Sequence, residues 1–302
     1  MAKQPFHFRN AFDARNAHNF YEVFESAGIA ISPVARQRIE EKMHAINSYQ
    51  PVIGVMGKTG VGKSSLCNAL FGDNVCKVSD VEACTREQQS VTLDTGGHGI
   101  RLVDVPGVGE SRERDDEYRE LYRTLIPETD ALFWVLKGDD RAFSTDENFY
   151  KYIVKPYIDK GKPFFVVLNQ VDKIEPYREW DHERHCPGLR QGHNIEQKRR
   201  YVADAFGLPP SQVLAVSADE RYGLVELVDE LIHTLPNDKK YIVIDQVKEK
   251  NLSQQAKQEA ERGFVNTVVE VIGDVVGKVV DVVVDVVVDR VFGPIRSLFS
   301  LF

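Results

Sequence analysis

The stretch that most constrains this chain is IGVMGKTGVGKSSL, residues 53–66. A short apolar run, suited to a buried strand, breaks into glycines, ends on Gly62-Lys63-Ser64 and continues into the helix-compatible SSLCNALFG. In a strand, loop and helix joined by Gly57-x-x-x-x-Gly62-Lys63-Ser64, the glycines let backbone N–H groups turn inward and the helix N-terminus adds positive potential. Such a loop holds phosphates. Gly57, Lys58, Thr59, Gly60, Val61, Gly62, Lys63, Ser64 and Ser65 are the expected cradle, with Lys63 reaching the terminal phosphates and Ser64 on magnesium.

The surroundings have the rhythm that such a loop requires. From Pro51 to Leu235, buried-strand runs (VIGVM, SVTL, IRLVDV, ALFWVL, PFFVVLN, QVLAVS) alternate with helical patterns. The expected fold class is α/β, with a doubly wound, mostly parallel sheet and helical N- and C-terminal additions. Three segments are expected: a helical stretch over 1–50, a nucleotide-binding domain over 51–235, and a connector and tail over 236–302. In the first segment, Ser32-Pro33 opens a helix, the hydroxyl capping and the proline occupying its first position.

Two further strand ends carry chemistry. IRLVDVPGVGE places Asp104 at the end of a buried strand, where a carboxylate can hold magnesium through water, and Gly107 where its N–H can sense a γ-phosphate. FFVVLNQVDKI ends on Asn169-Gln170-Val171-Asp172. The Asp172 carboxylate can accept from the N1 and N2 donors of guanine, a pair that adenine lacks. GTP is favoured over ATP on that ground, with ATP as the alternative. Ser217-Ala218, after a later strand, forms a backbone-rich turn that can close over the base.

On these motifs the chain resembles the P-loop GTPases of the translation-factor class, closest to the bacterial Era and TrmE-like group and its prophage-borne relatives. The resemblance covers residues 51–235 and implies a Ras-like domain that binds GTP/GDP with Mg2+, hydrolyses GTP and switches conformation. It also implies that Thr85, in EACTREQQ, is a magnesium-binding switch threonine, and that residues 73–90 and 107–118 are the two switches. Gln170 stands where the group carries lysine, so the brace that a lysine stem gives the phosphate loop is expected to be lost and guanine affinity lowered. Val108 stands where Ras-like enzymes place a water-orienting glutamine. An acidic residue further along the second switch is then the implied catalyst. Asp115, Asp116 and Glu117 are available, and Asp116 or Glu117 is the choice; the alternative is that these are solvated acids at a helix start. Gly60 replaces the asparagine through which some relatives hold potassium, so potassium stimulation is not expected. Slow turnover, raised by self-association or a partner, is one reading; a nucleotide-gated scaffold with little turnover is the other.

Composition narrows the partners. A net charge of -8 opposes wholesale binding of nucleic acid phosphates, and ribosome or RNA binding rests on the resemblance alone. Four cysteines without paired spacing suit a reduced compartment, and no run of about 18 uncharged apolar residues occurs. A cytoplasmic location follows as the expectation. His182, His185, Cys186 and His193 invite a zinc reading, but their spacing matches no common structural site and a polar loop is preferred.

The tail is the least ordinary stretch. Glu270, Asp274, Lys278, Asp281, Asp285 and Asp289 are spaced 4, 4, 3, 4 and 4 apart. On a helix they share an arc of about 100°, leaving a wide valine face. That face needs a cover: the N-terminal helices, a second copy of the chain in a homodimer, or a membrane surface, the last disfavoured because the polar stripe is acidic. An unidentified protein effector is the remaining partner class.

Overall fold

The computed structural model describes residues 31–72, 89–94, 99–104, 120, 122–140 and 143–276. They fall into two compact units. One takes in the described residues among 1–49, 236–245 and 257–302, and the other 50–235 and 246–256.

The larger unit is built on a six-stranded sheet: β1 (Val52–Met56), β2 (Gln89–Asp94), β3 (Gly99–Asp104), β4 (Ala131–Lys137), β5 (Phe164–Asn169) and β6 (Val213–Ala215), in spatial order β2-β3-β1-β4-β5-β6. Only the β2–β3 pair is antiparallel. All six runs identified in the sequence form strands. β1 and β5 are buried at every position, the continuous apolar pattern of strands covered on both faces. The chain moves from β1 to β2 and β3 on one side, then crosses to β4, β5 and β6 on the other. This reversal opens a crevice at the carboxyl end of β1, where ligands of open α/β sheets bind.

Aromatic side chains fill the layer behind β4 and β5. Tyr122 and Trp134 pack on Phe149, with centroids 4.5 and 5.6 Å away, and Tyr150 packs on Phe164 and Phe206 at 5.1 and 5.4 Å. Each is buried, and each such side chain contributes about 2–3 kcal/mol of apolar burial. The connector over 246–256 closes the helix that follows the phosphate loop, Lys63–Leu70. The Lys248 N–H donates to Leu70 O (2.9 Å), and the buried Asn251 amide donates to Ala69 O (2.9 Å). Carbonyls that a helix end leaves without partners are thereby satisfied.

The smaller unit joins helices from both ends of the chain. Pro33–Ser48 starts where Ser32 caps it, Oγ accepting from Ala35 N at 3.2 Å. It packs with Asn237–Ile244 and with Gln254–Val276. Lys42 bonds Asp274 (2.8 Å), Lys239 lies over the Tyr49 ring (4.6 Å), and Tyr241 meets Phe264 edge-on (4.7 Å). Val265, Val268, Val271 and Ile272 are buried. The described part of the valine-rich stretch is therefore helical, and N-terminal helix residues lie against it. Lys278, Asp281, Asp285 and Asp289 lie outside the described residues. No helix among those described is long and apolar enough to cross a membrane.

Candidate nucleotide site

The loop from Gly57 to Gly62 holds its path through three glycines at φ +140, +82 and +88, the left-handed region that side chains disfavour. A Cβ at Gly57 would lie 2.3 Å from Val135 O, and one at Gly62 2.5 Å from Asn169 Nδ2. The helix then starts at Lys63, with Ser64 and Ser65 half-buried in its first turn. Lys63 Nζ donates to Gly57 O (2.9 Å) and Lys58 O (3.3 Å), which stations its ammonium across the loop. Lys58 turns the other way. It pairs with the buried Asp146 (2.6 Å), whose other oxygen accepts from Trp134 Nε1 at 3.2 Å. Burial pushes the Asp146 carboxyl up, against the opposing pull of Lys58.

β5 delivers the second loop. Asn169, only 1% exposed, donates through Nδ2 to Val61 O (2.9 Å) and accepts at Oδ1 from Ala218 N (3.1 Å). One amide thus ties three segments: the phosphate loop, the end of β5 and the turn after β6. Gln170 follows at φ 60, and its Nε2 reaches Gly60 O at 3.2 Å. The phosphate-loop brace expected to be lost at this position is present, made by an amide instead of an ammonium. Asp172 Oδ1 is buried and has no hydrogen-bond partner among the described residues.

Side chains distant in sequence hold these loops. Gln191, fully buried on the helix Leu189–Phe206, donates to Asp172 O and Ile174 O, both at 2.9 Å. Glu179 caps that helix by accepting from Arg190 N (3.1 Å) and Gln191 N (3.3 Å). Glu220, in the turn closed by mutual Ser217 and Tyr222 backbone bonds, accepts from His182 Nδ1 and His185 Nδ1, both at 2.9 Å. Burial pushes the Glu220 carboxyl up, but the hydrogen bonds from His185 and His182 outweigh it, and the pKa lies below the ordinary value. His182 and His185, two of the histidines singled out in the sequence, thus pin the turn carrying Ser217 and Ala218. Among the described residues no three His, Cys, Asp or Glu side chains form a metal-holding group. Gln191, Glu220 and Asp146 were not identified from sequence; no periodicity or motif marks them, because each matters through partners well separated along the chain.

Asp104 closes β3, in register with Val55 of β1 and Gln89 of β2, so its backbone stands beside the strand that feeds the phosphate loop. Thr85, Gly107, Val108, Asp115, Asp116 and Glu117 lie outside the described residues.

Residues 52–170 match the family described as 50S ribosome-binding GTPase. YfjP of Escherichia coli strain K12 is 39% identical over 233 residues, covering 77% of this chain and 78% of that protein. The chain belongs to the 50S ribosome-binding GTPase family. GTPase Der of Deinococcus deserti is 28% identical over 187 residues, 62% of this chain and 36% of Der. Aquifex aeolicus Era bound to GDP and AlF4- aligns at 24% identity over 61% of this chain and 56% of Era, with a TM-score of 0.46. The sheet order and the loop between β1 and the helix Lys63–Leu70 give this family member the expected P-loop architecture.

Proposed function

We propose that the protein binds GTP with Mg2+, hydrolyses it to GDP and phosphate, and changes conformation between the two states. The observation that carries the choice of base is Asp172 Oδ1, a buried carboxylate oxygen without a partner among the described residues. A buried acceptor left unmatched costs about 1–3 kcal/mol, which the N–H donors of guanine would offset. The site's depth is set by Asn169, which ties the base-side turn to the phosphate loop.

Ser64 in the first turn of the helix and Asp104 at the end of β3 offer a hydroxyl and a carboxylate, the hard oxygen donors that suit Mg2+. A Mg2+ ion held by these donors would supply positive charge to offset that of the nucleotide's phosphates. Thr85 completes the proposed donor set. The protein's own contribution is electrostatic: inward N–H groups of residues 60–64 and the Lys63 ammonium stabilise charge that grows on the phosphate oxygens during transfer. Asp116 or Glu117 is assigned to orient water. Turnover is slow alone and rises when two loaded molecules or a partner complete the site. The packing of Asn251 and Lys248 on the end of the phosphate-loop helix supports a path from nucleotide to the C-terminal segment. A protein effector fits the net charge of -8 better than RNA.

Val108 favours a second reading, a scaffold that holds GTP with little turnover. Phosphate release measured over a series of protein concentrations separates them: a rate per molecule that rises with concentration supports the enzyme, and GTP persisting unhydrolysed supports the scaffold. Competition between GTP and ATP tests the base, with Asp172→Asn expected to weaken the guanine preference by at least about tenfold.

A further inference from the structure

Gln170 occupies a left-handed backbone conformation, φ 60 and ψ 36, which is strained for a residue with a side chain. The strain aims its amide back over the phosphate loop. Nε2 donates to Gly60 O at 3.2 Å, and a Cβ on Gly62 would come within 3.4 Å of that nitrogen. The other end of the amide is occupied as well. Val171–Lys173 is a 3-10 turn, in which positions three apart eclipse, and Lys173 Nζ donates to Gln170 Oε1 at 2.8 Å. An ammonium on the oxygen draws electrons from the amide and makes its NH2 a stronger donor.

In a trans peptide the carbonyl and the following N–H point in opposite directions. A donor that holds Gly60 O on the base side therefore turns the Val61 N–H the other way, toward the interior of the loop. Asn169 does the same one residue later, its Nδ2 on Val61 O setting the direction of the Gly62 N–H. Two consecutive residues at the end of β5 thus orient two consecutive N–H groups of the loop.

We propose that Gln170, backed by Lys173, is a positioning residue for the phosphates: it fixes the Gly60–Val61 peptide plane so that the Val61 N–H faces bound phosphate. This rests on the guanine-nucleotide reading of the site. Lys173 acts only through Gln170, and neither touches the nucleotide's phosphates. The pair is therefore expected to be strongly non-additive.

The test is a double-mutant cycle on the full chain, with GDP and guanosine affinities measured in Mg2+. Gln170→Leu should weaken GDP by about tenfold and Lys173→Met by about threefold, with the double variant no weaker than Gln170→Leu alone. Lys173→Arg should restore affinity. Guanosine, which has no phosphates, should bind all variants alike. Multiplicative losses in the double variant, or equal losses for guanosine and GDP, overturn the brace while leaving guanine binding intact. Wild-type protein that fails to bind GDP, or binds it equally well after Lys63→Ala, overturns the nucleotide reading itself, and the brace with it; that failure shows before any brace variant is made.

Discussion

Residues 57–62 hold their course through backbone conformation, with three glycines at positive φ within six positions. The loops proposed to take the base, 169–173 and 217–222, are held by side chains that reach across the sequence. Asn169 bonds a carbonyl 108 positions away, Gln170 one 110 away, and Gln191 two that are 19 and 17 away. The contrast has a physical root. Phosphate is bound by main-chain N–H groups, so what matters is where the backbone can go, and glycine decides that locally. A base is bound by its edge pattern, so a carboxylate must be set to within a fraction of an ångström. A loop on a sheet edge achieves that only if packed groups beneath it restrict its freedom.

If backbone shape governs the phosphate loop, the largest effect belongs to Gly57→Ala. Its Cβ would stand 2.3 Å from Val135 O, and the expected result is a loss of at least about 3 kcal/mol in thermal melts and no measurable nucleotide binding. Gly60→Ala is the control. No described residue lies within 4 Å of its Cβ, and the strain of φ +82 is what remains, about 1 kcal/mol. Equal losses in the two variants would show that crowding against β4 is irrelevant.

Asn169→Ala comes next, at about 2–3 kcal/mol, because it leaves Val61 O and Ala218 N without their partner in a buried site. It should damage phosphate and base recognition together, measurable as parallel losses of GDP and guanosine binding. Gln191→Leu should cost about 2 kcal/mol by stranding the Asp172 and Ile174 carbonyls. Its effect should fall on the base side: the preference of GTP over ATP shrinks, while pyrophosphate competes as before. A loss of pyrophosphate binding would erase the distinction between the two loops.

The smallest effect concerns pH. The folded pKa of Glu220 is lowered from the ordinary 4.5, so its contribution to stability is fully present above that value and is lost as the pH falls through the folded-state pKa. Glu220→Gln should cost under about 1 kcal/mol at neutral pH. Melting temperatures of wild type and variant should converge as the pH drops below 4.5; a constant gap would mean that the His182 and His185 bonds do not depend on the charge of Glu220.

Strand runs and the phosphate loop were legible because each depends on near neighbours: a continuous apolar run makes a doubly covered strand, and glycine spacing makes a phosphate cradle. Ser32-Pro33 started a helix for the same local reason. Gln170 shows the limit. Its substitution for lysine pointed to a missing brace, yet the turn that follows brings Lys173 onto its amide and sends the other end to Gly60. Likewise the histidines near residue 182 suggested a polar loop in preference to metal, and the bonds that His182 and His185 make from that loop to Glu220 could be seen only in the fold.

Local pattern alone thus determined the α/β sheet and the phosphate loop, since periodicity and backbone freedom act over a few residues. Tertiary structure alone decided which side chains hold those parts in place: Asp146 under Lys58, Gln191 under Asp172, Glu220 between two histidines, and helices from both chain ends in one unit. A polar side chain has no fixed partner until folding brings a distant carbonyl or charge within about 3 Å, and nothing in the linear order of residues encodes that distance.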